Sequence, residues 1–592
     1  MSSSETPTIL SRPMWRRTVA AIIAVQAAMH IWVLTGRSFY WDDFIIVGGS
    51  VDNPWWSPSF WAQAHDGHFA PLSFLLQRGV NALAPWQWWL PALLMLLGSV
   101  AVTALLARAV RALAGQTWIA VAAVGLVAWT PLTLPATTWW SAAVNSLPMQ
   151  LALAWWVIVA NTSFTVRRAI GANIALIVAL GFFEKSIAIV PLVFAITVAS
   201  AYVRRSRFTF RPLLWIPGFV ITVLWTILYM VLASGTARET ADTPRIELFR
   251  GGLEQVMAAL VGGPWFWERW APGQAWANAP FGLVVVGGGV VTLFVLFALV
   301  RDRRSWLPVT IGLSYLFVVL IVMTVVRSGE HTADELAKTL HYYADSAMVL
   351  GLTAAVAWTR PLSTWQVTPV LMVLLAISSG VSAAGYRAAW SDDVVPAWLE
   401  TTKNSLHDAP DNSPILNQGA PLEVLLPIAN PRHTYHYVFN DVRDRPEFGR
   451  YTDRPQMFDV SGEIIPAEVL GAARLEPDDS PGCGSRLDIG PEGNGVMDVA
   501  IDDIITISDW TVEFNALASE DMDVRLALPN PFQTTEETYD SSTLVPVGTD
   551  LERRWVTVGG GGNILRVVVV GATPGEYLCV GAGAIGPLVP AS

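Results

Sequence analysis

Cysteine is almost missing from this 592-residue chain, and lysine is scarce beside arginine. Only Cys483 and Cys579 occur, in no C-x-x-C spacing of the kind that holds a structural metal. Charged residues are just 14% of the total, while 53% are hydrophobic and the mean hydropathy is +0.44. That is too apolar for a soluble protein and too long for one ordinary domain. No Gly-rich nucleotide loop is found, and the last two hundred residues contain no Ser-His-Asp arrangement and no metal cluster. Basic residues are also short where nucleic acid would need them. Beyond about residue 386 there are 13 Lys and Arg against 32 Asp and Glu, whereas before it there are 24 against 16. An acidic tail cannot displace counterions from phosphates, so nucleic acid is not an expected partner.

What is present is a series of long apolar runs that stops near residue 385. A span needs about 20 such residues to cross the hydrocarbon core. Candidate spans lie near 15–35, 86–107, 117–134, 146–163, 169–183, 187–203, 212–233, 280–300, 305–326, 345–359 and 363–384, about eleven in all. The expected organisation is a polytopic α-helical membrane domain over 1–385 and a soluble domain over 386–592. Basic clusters at Arg16 and Arg17, Arg108 and Arg111, Arg167 and Arg168, Arg204 to Arg211, Arg301 to Arg304, and Arg360 fall on alternate loops. Because Lys and Arg near span ends resist translocation, the N-terminus is expected in the cytoplasm and the tail outside a plasma membrane. The long loops 36–85, 234–279 and 327–344 then all face outward, and any chemistry belongs there. Trp is abundant in them; most of these rings suit an interfacial belt, and a few could stack on sugar rings.

The first outer loop opens with Tyr40-Trp41-Asp42-Asp43-Phe44. Adjacent carboxylates at a membrane surface are costly, and burial with mutual repulsion suits one of them to take a proton from an alcohol. A plainer role is capping the next helix. The loop continues through His65-Asp66-Gly67-His68-Phe69-Ala70-Pro71-Leu72. His65, Asp66 and His68 could bind a divalent metal, but no fourth ligand follows, so hydrogen bonding to substrate or to the Asp pair is the better reading. Gly181-Phe182-Phe183-Glu184-Lys185-Ser186 places a charged pair where two spans meet. It is either a structural ion pair or a hold on the phosphate of a lipid-linked substrate. The last outer loop offers Arg327, Glu330 and His331, then His341-Tyr342-Tyr343-Ala344-Asp345. Arg327, His331 and His341, with Arg238, Arg245 and Arg250 of the preceding loop, are candidates to neutralise a departing phosphate.

These features resemble the membrane-embedded GT-C glycosyltransferases, especially protein O-mannosyltransferase-like and arabinosyltransferase-like enzymes that use polyprenyl-phosphate sugars. The resemblance rests on Asp42-Asp43 after the first span, His68-Phe69-Ala70-Pro71-Leu72 before the second, and Glu184-Lys185-Ser186 near the fifth, over residues 15–200. It implies that Asp42 or Asp43 is the catalytic base. It also implies that Lys185 contacts the donor phosphate; His65, His68, Glu184, Arg327, His331, His341 and Tyr343 are the further candidates to bind the donor and its phosphate. The chain departs from the pattern at Ala70, where relatives often have Arg, and at Glu184-Lys185, where they have Lys-Glu.

In the tail, Pro and Gly separate short β-rich runs at 495–507, 510–517, 524–528, 555–558, 564–570 and 577–580, which points to a sandwich or jelly roll with its core at about 480–592. Gly559 to Gly562 reads as a flexible turn. Cys483 and Cys579 are expected to form a disulfide in an oxidising compartment. The function these features favour is an inverting glycosyltransferase that moves a sugar from a polyprenyl-phosphate donor to an extracytoplasmic glycan, lipid or protein acceptor, with no nucleotide site required and a divalent metal only weakly supported. The alternatives are a transporter or flippase of lipid-linked sugars, disfavoured by the lopsided loops and the lack of an inverted repeat, and a non-catalytic cell-envelope assembly protein.

Overall fold

A computed structural model describes residues 10–233, 245–329, 332–358, 367–409, 413–529 and 542–591. The chain divides into two compact units, 1–393 and 394–592.

Each of the eleven expected spans corresponds to a helix in the first unit. Among the described residues, eight are long and apolar enough to cross a membrane: Arg12–Leu34, Trp89–Ala114, Trp140–Asn161, Glu184–Val203, Pro212–Ala233, Phe281–Arg301, Arg303–Arg327 and Val367–Ala388. The protein is therefore a multi-pass membrane protein. Three helices are shorter, and each has a reason. Trp118–Trp129 stops where Thr130 leaves helical geometry ahead of Pro131, so the expected span 117–134 ends early and a separate turn, Leu134–Thr138, follows. Val166–Phe182 gives way to a tight turn of 3-10 helix, Glu184–Ala188, which brings the charged pair to the helix ends. Ala344–Ala357 is buried on nearly all sides, so neighbouring helices rather than lipid surround it.

Helix starts follow local chemistry. Ser11 and Thr165 accept hydrogen bonds from backbone N–H groups three residues on, with Pro13 pre-set in the first turn after Ser11. Close crossings use small residues: a Cβ on Gly218 would lie 2.4 Å from the Trp156 ring, and one on Gly351 2.6 Å from Val127. Pro212–Ala233 and Phe281–Arg301 are apolar yet bury few residues within the protein. Lipid is the solvent that face requires.

The first long loop, 36–85, is built rather than irregular. It contains the helices Asp42–Gly48, Pro58–Ala62 and Pro71–Leu83, the second of them carrying Phe60 into a small core with Ile46, Ala70 and Phe74.

The second unit is mostly β. Two long antiparallel strands, Gly495–Ala518 and Glu552–Val569, organise a nine-stranded sheet. Each replaces two of the short strands read from sequence. The second alternates buried Val556, Val558, Leu565, Val567 and Val569 with partners facing away. Gly559 to Gly562 are not a turn: they continue the strand opposite 505–509, where the register shifts at bulges. Gly560, with φ +128°, has the Leu528 carbonyl where its Cβ would stand. The run is glycine because another backbone passes that close. The sheet also takes in Tyr451–Thr452 and Ala473–Glu476, ahead of residue 480. Cys483 and Cys579 are joined in a disulfide across a separation of 96 residues.

Candidate active site

After the first helix the chain runs without regular structure through Arg37, Ser38, Phe39 and Tyr40, all buried. At Trp41 it turns with φ +43° into the helix Asp42–Gly48. This turn separates the two carboxylates. Asp43 is fully buried, and its oxygens accept hydrogen bonds from the Tyr40 N–H (2.8 Å), the Ser141 N–H (2.9 Å) and the Ser141 hydroxyl (2.5 Å). Burial pushes its carboxyl up to about 7 against the pull of those donors. Asp42 keeps 29% of its side chain exposed and makes one 3.4 Å contact with His65 Nε2.

His65 and His68 exchange backbone hydrogen bonds across a two-residue turn, with His65 N–H to His68 O at 2.9 Å and the reverse at 2.8 Å. Asp66 and Gly67 both have positive φ, +52° and +82°. An Asp-Gly turn with both central residues left-handed closes a tight hairpin, and the Tyr229 hydroxyl donates to the Gly67 carbonyl at 2.9 Å. The hairpin sends its two histidines to different carboxylates, His65 to Asp42 and His68 Nδ1 to Glu184 Oε1 at 2.8 Å. The Glu184 carboxylate raises the His68 pKa, with burial opposing. Among the described residues, no three His, Cys, Asp or Glu side chains converge as a metal-ligand group.

Two cations complete the cluster. Arg327, the last residue of its helix, reaches Asp66 at 3.3 Å and lies 3.5 Å from His68 Nε2. Lys185 donates to the Tyr342 carbonyl at 2.9 Å and lies 3.5 Å from Asp345, which also accepts from the Tyr315 hydroxyl. His341 packs edge to face on Trp139 at 5.3 Å and against Tyr342 at 3.9 Å. Burial, then the positive charges of Lys185, Arg327 and His68, hold its pKa well below 6.5.

Of the residues expected from sequence, the structure thus gathers Asp42, His65, His68, Glu184, Lys185, Arg327 and His341 around one set of loops. Asp43 is instead buried against Tyr40 and Ser141. Tyr343 does not join the cluster: it is fully buried, and its hydroxyl donates to the Ala337 carbonyl at 2.8 Å. Arg245 instead pairs with Asp334 at 2.5 Å, and Arg250 pairs with Glu254 on its own helix. His331, Arg238, Glu330 and Arg360 lie outside the described residues. Sequence reasoning did not assign Ser141, Tyr229, Tyr315 or Asp345 to the site. Only the Asp-Gly pair at 66 and 67 carried a local signal, for the hairpin that Tyr229 pins.

No family model matches the chain, and no curated protein does. Solved structures do match. An oligosaccharyltransferase from Archaeoglobus fulgidus, in complex with Zn and sulfate, shares 13% identity over 66% of this chain and 56% of its own, with a TM-score of 0.36. ArnT from Cupriavidus metallidurans bound to undecaprenyl phosphate shares 15% identity over 69% of this chain and 84% of its own, with a TM-score of 0.42. The same ArnT in the apo state gives 14%, 73%, 89% and 0.43. The chain spans a little over half the length of the archaeal oligosaccharyltransferase, and it is similar to that protein and to ArnT.

Proposed function

We propose that this chain is a GT-C type glycosyltransferase that takes a sugar from a polyprenyl-phosphate donor at the outer leaflet and inverts its anomeric centre. The observation that carries the reading is the division of labour in the Asp pair. Asp43 is consumed by three hydrogen bonds, whereas Asp42 keeps an open side chain beside a cluster that holds Lys185, Arg327 and His68. A carboxylate next to cations is what base-assisted displacement of a phosphate needs. The acceptor hydroxyl would lose its proton to Asp42 as its oxygen attacks the anomeric carbon. The bond from that carbon to the phosphate oxygen breaks, and its electron pair leaves with the lipid phosphate. Lys185, Arg327 and the imidazolium of His68 would neutralise that charge. Glu184 and Asp66 hold the last two in place.

In this reading the N-terminus is cytoplasmic and the β unit extracytoplasmic, where it would hold or orient the acceptor. A transporter would need no exposed carboxylate beside the phosphate-binding cations. Native mass spectrometry of the protein purified from its membrane tests the donor class. A bound polyprenyl phosphate, or its glycosylated form, lost in a Lys185→Ala, Arg327→Ala double variant, is the expected result. Retention of the lipid by that variant would refute the assignment of the phosphate site.

A further inference from the structure

We infer that the Trp139 indole and the His341 imidazole form the subsite for the sugar ring of the lipid-linked substrate, hydrogen-bonding its hydroxyls. The inference rests on the proposed transferase reading and adds to it the residues that meet the sugar. Two observations lead to it. Trp139 Nε1 and His341 Nδ1 are both buried, and neither has a hydrogen-bond partner among the described residues. Buried donors and acceptors are rarely left unpaired, and here two of them share one pair of touching rings, so a single polar ligand could answer both. The two rings meet edge to face at 5.3 Å, and Trp139 also packs on Tyr40 at 5.2 Å, two residues before Asp42. The orphaned nitrogens therefore belong to one aromatic wall that adjoins the proposed base.

The chemistry of that wall selects the ligand. An indole N–H donates only, and a neutral imidazole nitrogen donates or accepts according to its tautomer. A sugar hydroxyl can answer either, and the C–H face of the ring suits the flanks of Trp139 and Tyr342. The phosphate has better partners in Lys185, Arg327 and His68. Burial, with those same three cations near it, keeps the His341 imidazole neutral, so its free ring nitrogen can answer a hydroxyl as donor or acceptor.

The full chain in detergent is titrated with decaprenyl phosphate and with its mannosyl, glucosyl and arabinofuranosyl derivatives, and binding is followed by native mass spectrometry. The unsubstituted protein is expected to bind one glycosylated lipid more tightly than the bare lipid phosphate. Trp139→Phe and His341→Phe should each reduce that preference roughly five- to tenfold, the worth of about one hydrogen bond, and leave bare-lipid affinity unchanged. Unchanged bare-lipid binding also shows that the variants are folded. Equal affinity of the unsubstituted protein for bare and glycosylated lipids, or an equal loss of both in the variants, would overturn the subsite. Absence of any binding to the unsubstituted protein would instead overturn the transferase reading, and the subsite with it.

Discussion

Asp42 and Asp43 are adjacent and chemically identical, yet one turn of backbone gives them opposite surroundings. Replacing Asp43 with Ala would strand the N–H groups of Tyr40 and Ser141 in the interior. At about 1–3 kcal/mol for each unmet buried group, Asp43→Ala should lower the thermal midpoint by several degrees. Asp43→Asn, which keeps an acceptor oxygen, should lower it less. Equal midpoints for Asp43→Ala and the unsubstituted protein would show that those bonds contribute nothing. His68 gives a pH-dependent counterpart. Its pKa is raised above 6.5 by Glu184, so the stability from that pair is complete below pH 6.5 and is lost as pH rises through the raised value. Thermal midpoints measured upward from pH 6 should therefore fall, and the fall should be shallower in Glu184→Gln. Parallel profiles would remove Glu184 as the cause. The Asp pair was visible in the sequence, but its division was not. The partners that decide it, Ser141 and the Tyr40 N–H, act through the three-dimensional turn at Trp41, which no spacing along the chain encodes.

At the scale of elements, the hairpin His65 to His68 delivers one imidazole to Asp42 and the other to Glu184. Its turn depends on Gly67 at φ +82°, where an added Cβ would meet nothing within 4 Å. Gly67→Ala should therefore cost only the backbone strain, about 1–2 kcal/mol, and act chiefly by misplacing His65 and His68. Sugar transfer is expected to fall about tenfold, the equivalent of roughly 1.4 kcal/mol in the barrier, with the thermal midpoint lowered by a few degrees at most. Full activity in this variant would separate the hairpin from catalysis. Span positions were legible because apolar length is a local property. The break at Thr130 has a local cause in Pro131, whereas the buried course of Ala344–Ala357 depends on neighbouring helices. The four glycines at 559–562 misled for the same reason: locally they read as a turn, and only the passage of Leu528 against Gly560 makes them strand.

For the whole molecule, composition alone separates an apolar, arginine-bearing part from an acidic one, and the structure divides the chain into two units, 1–393 and 394–592. Most of the cluster was legible as charged residues at span ends, where ionisable groups are expensive. Its pairings were not, since Arg327 meets Asp66 across 261 residues and Lys185 meets Asp345 across 160. In the proposed reaction Asp42 removes the acceptor proton during sugar transfer from a lipid phosphate. That role is tested most directly by the rate at which the purified full chain releases polyprenyl phosphate from a polyprenyl-phosphate sugar in the presence of acceptor. Asp42→Asn should lower kcat by about 10²–10⁴-fold with donor affinity unchanged, the range expected for loss of a general base, while Asp43→Asn stays within about tenfold of the unsubstituted enzyme. A fully active Asp42→Asn protein would contradict the account.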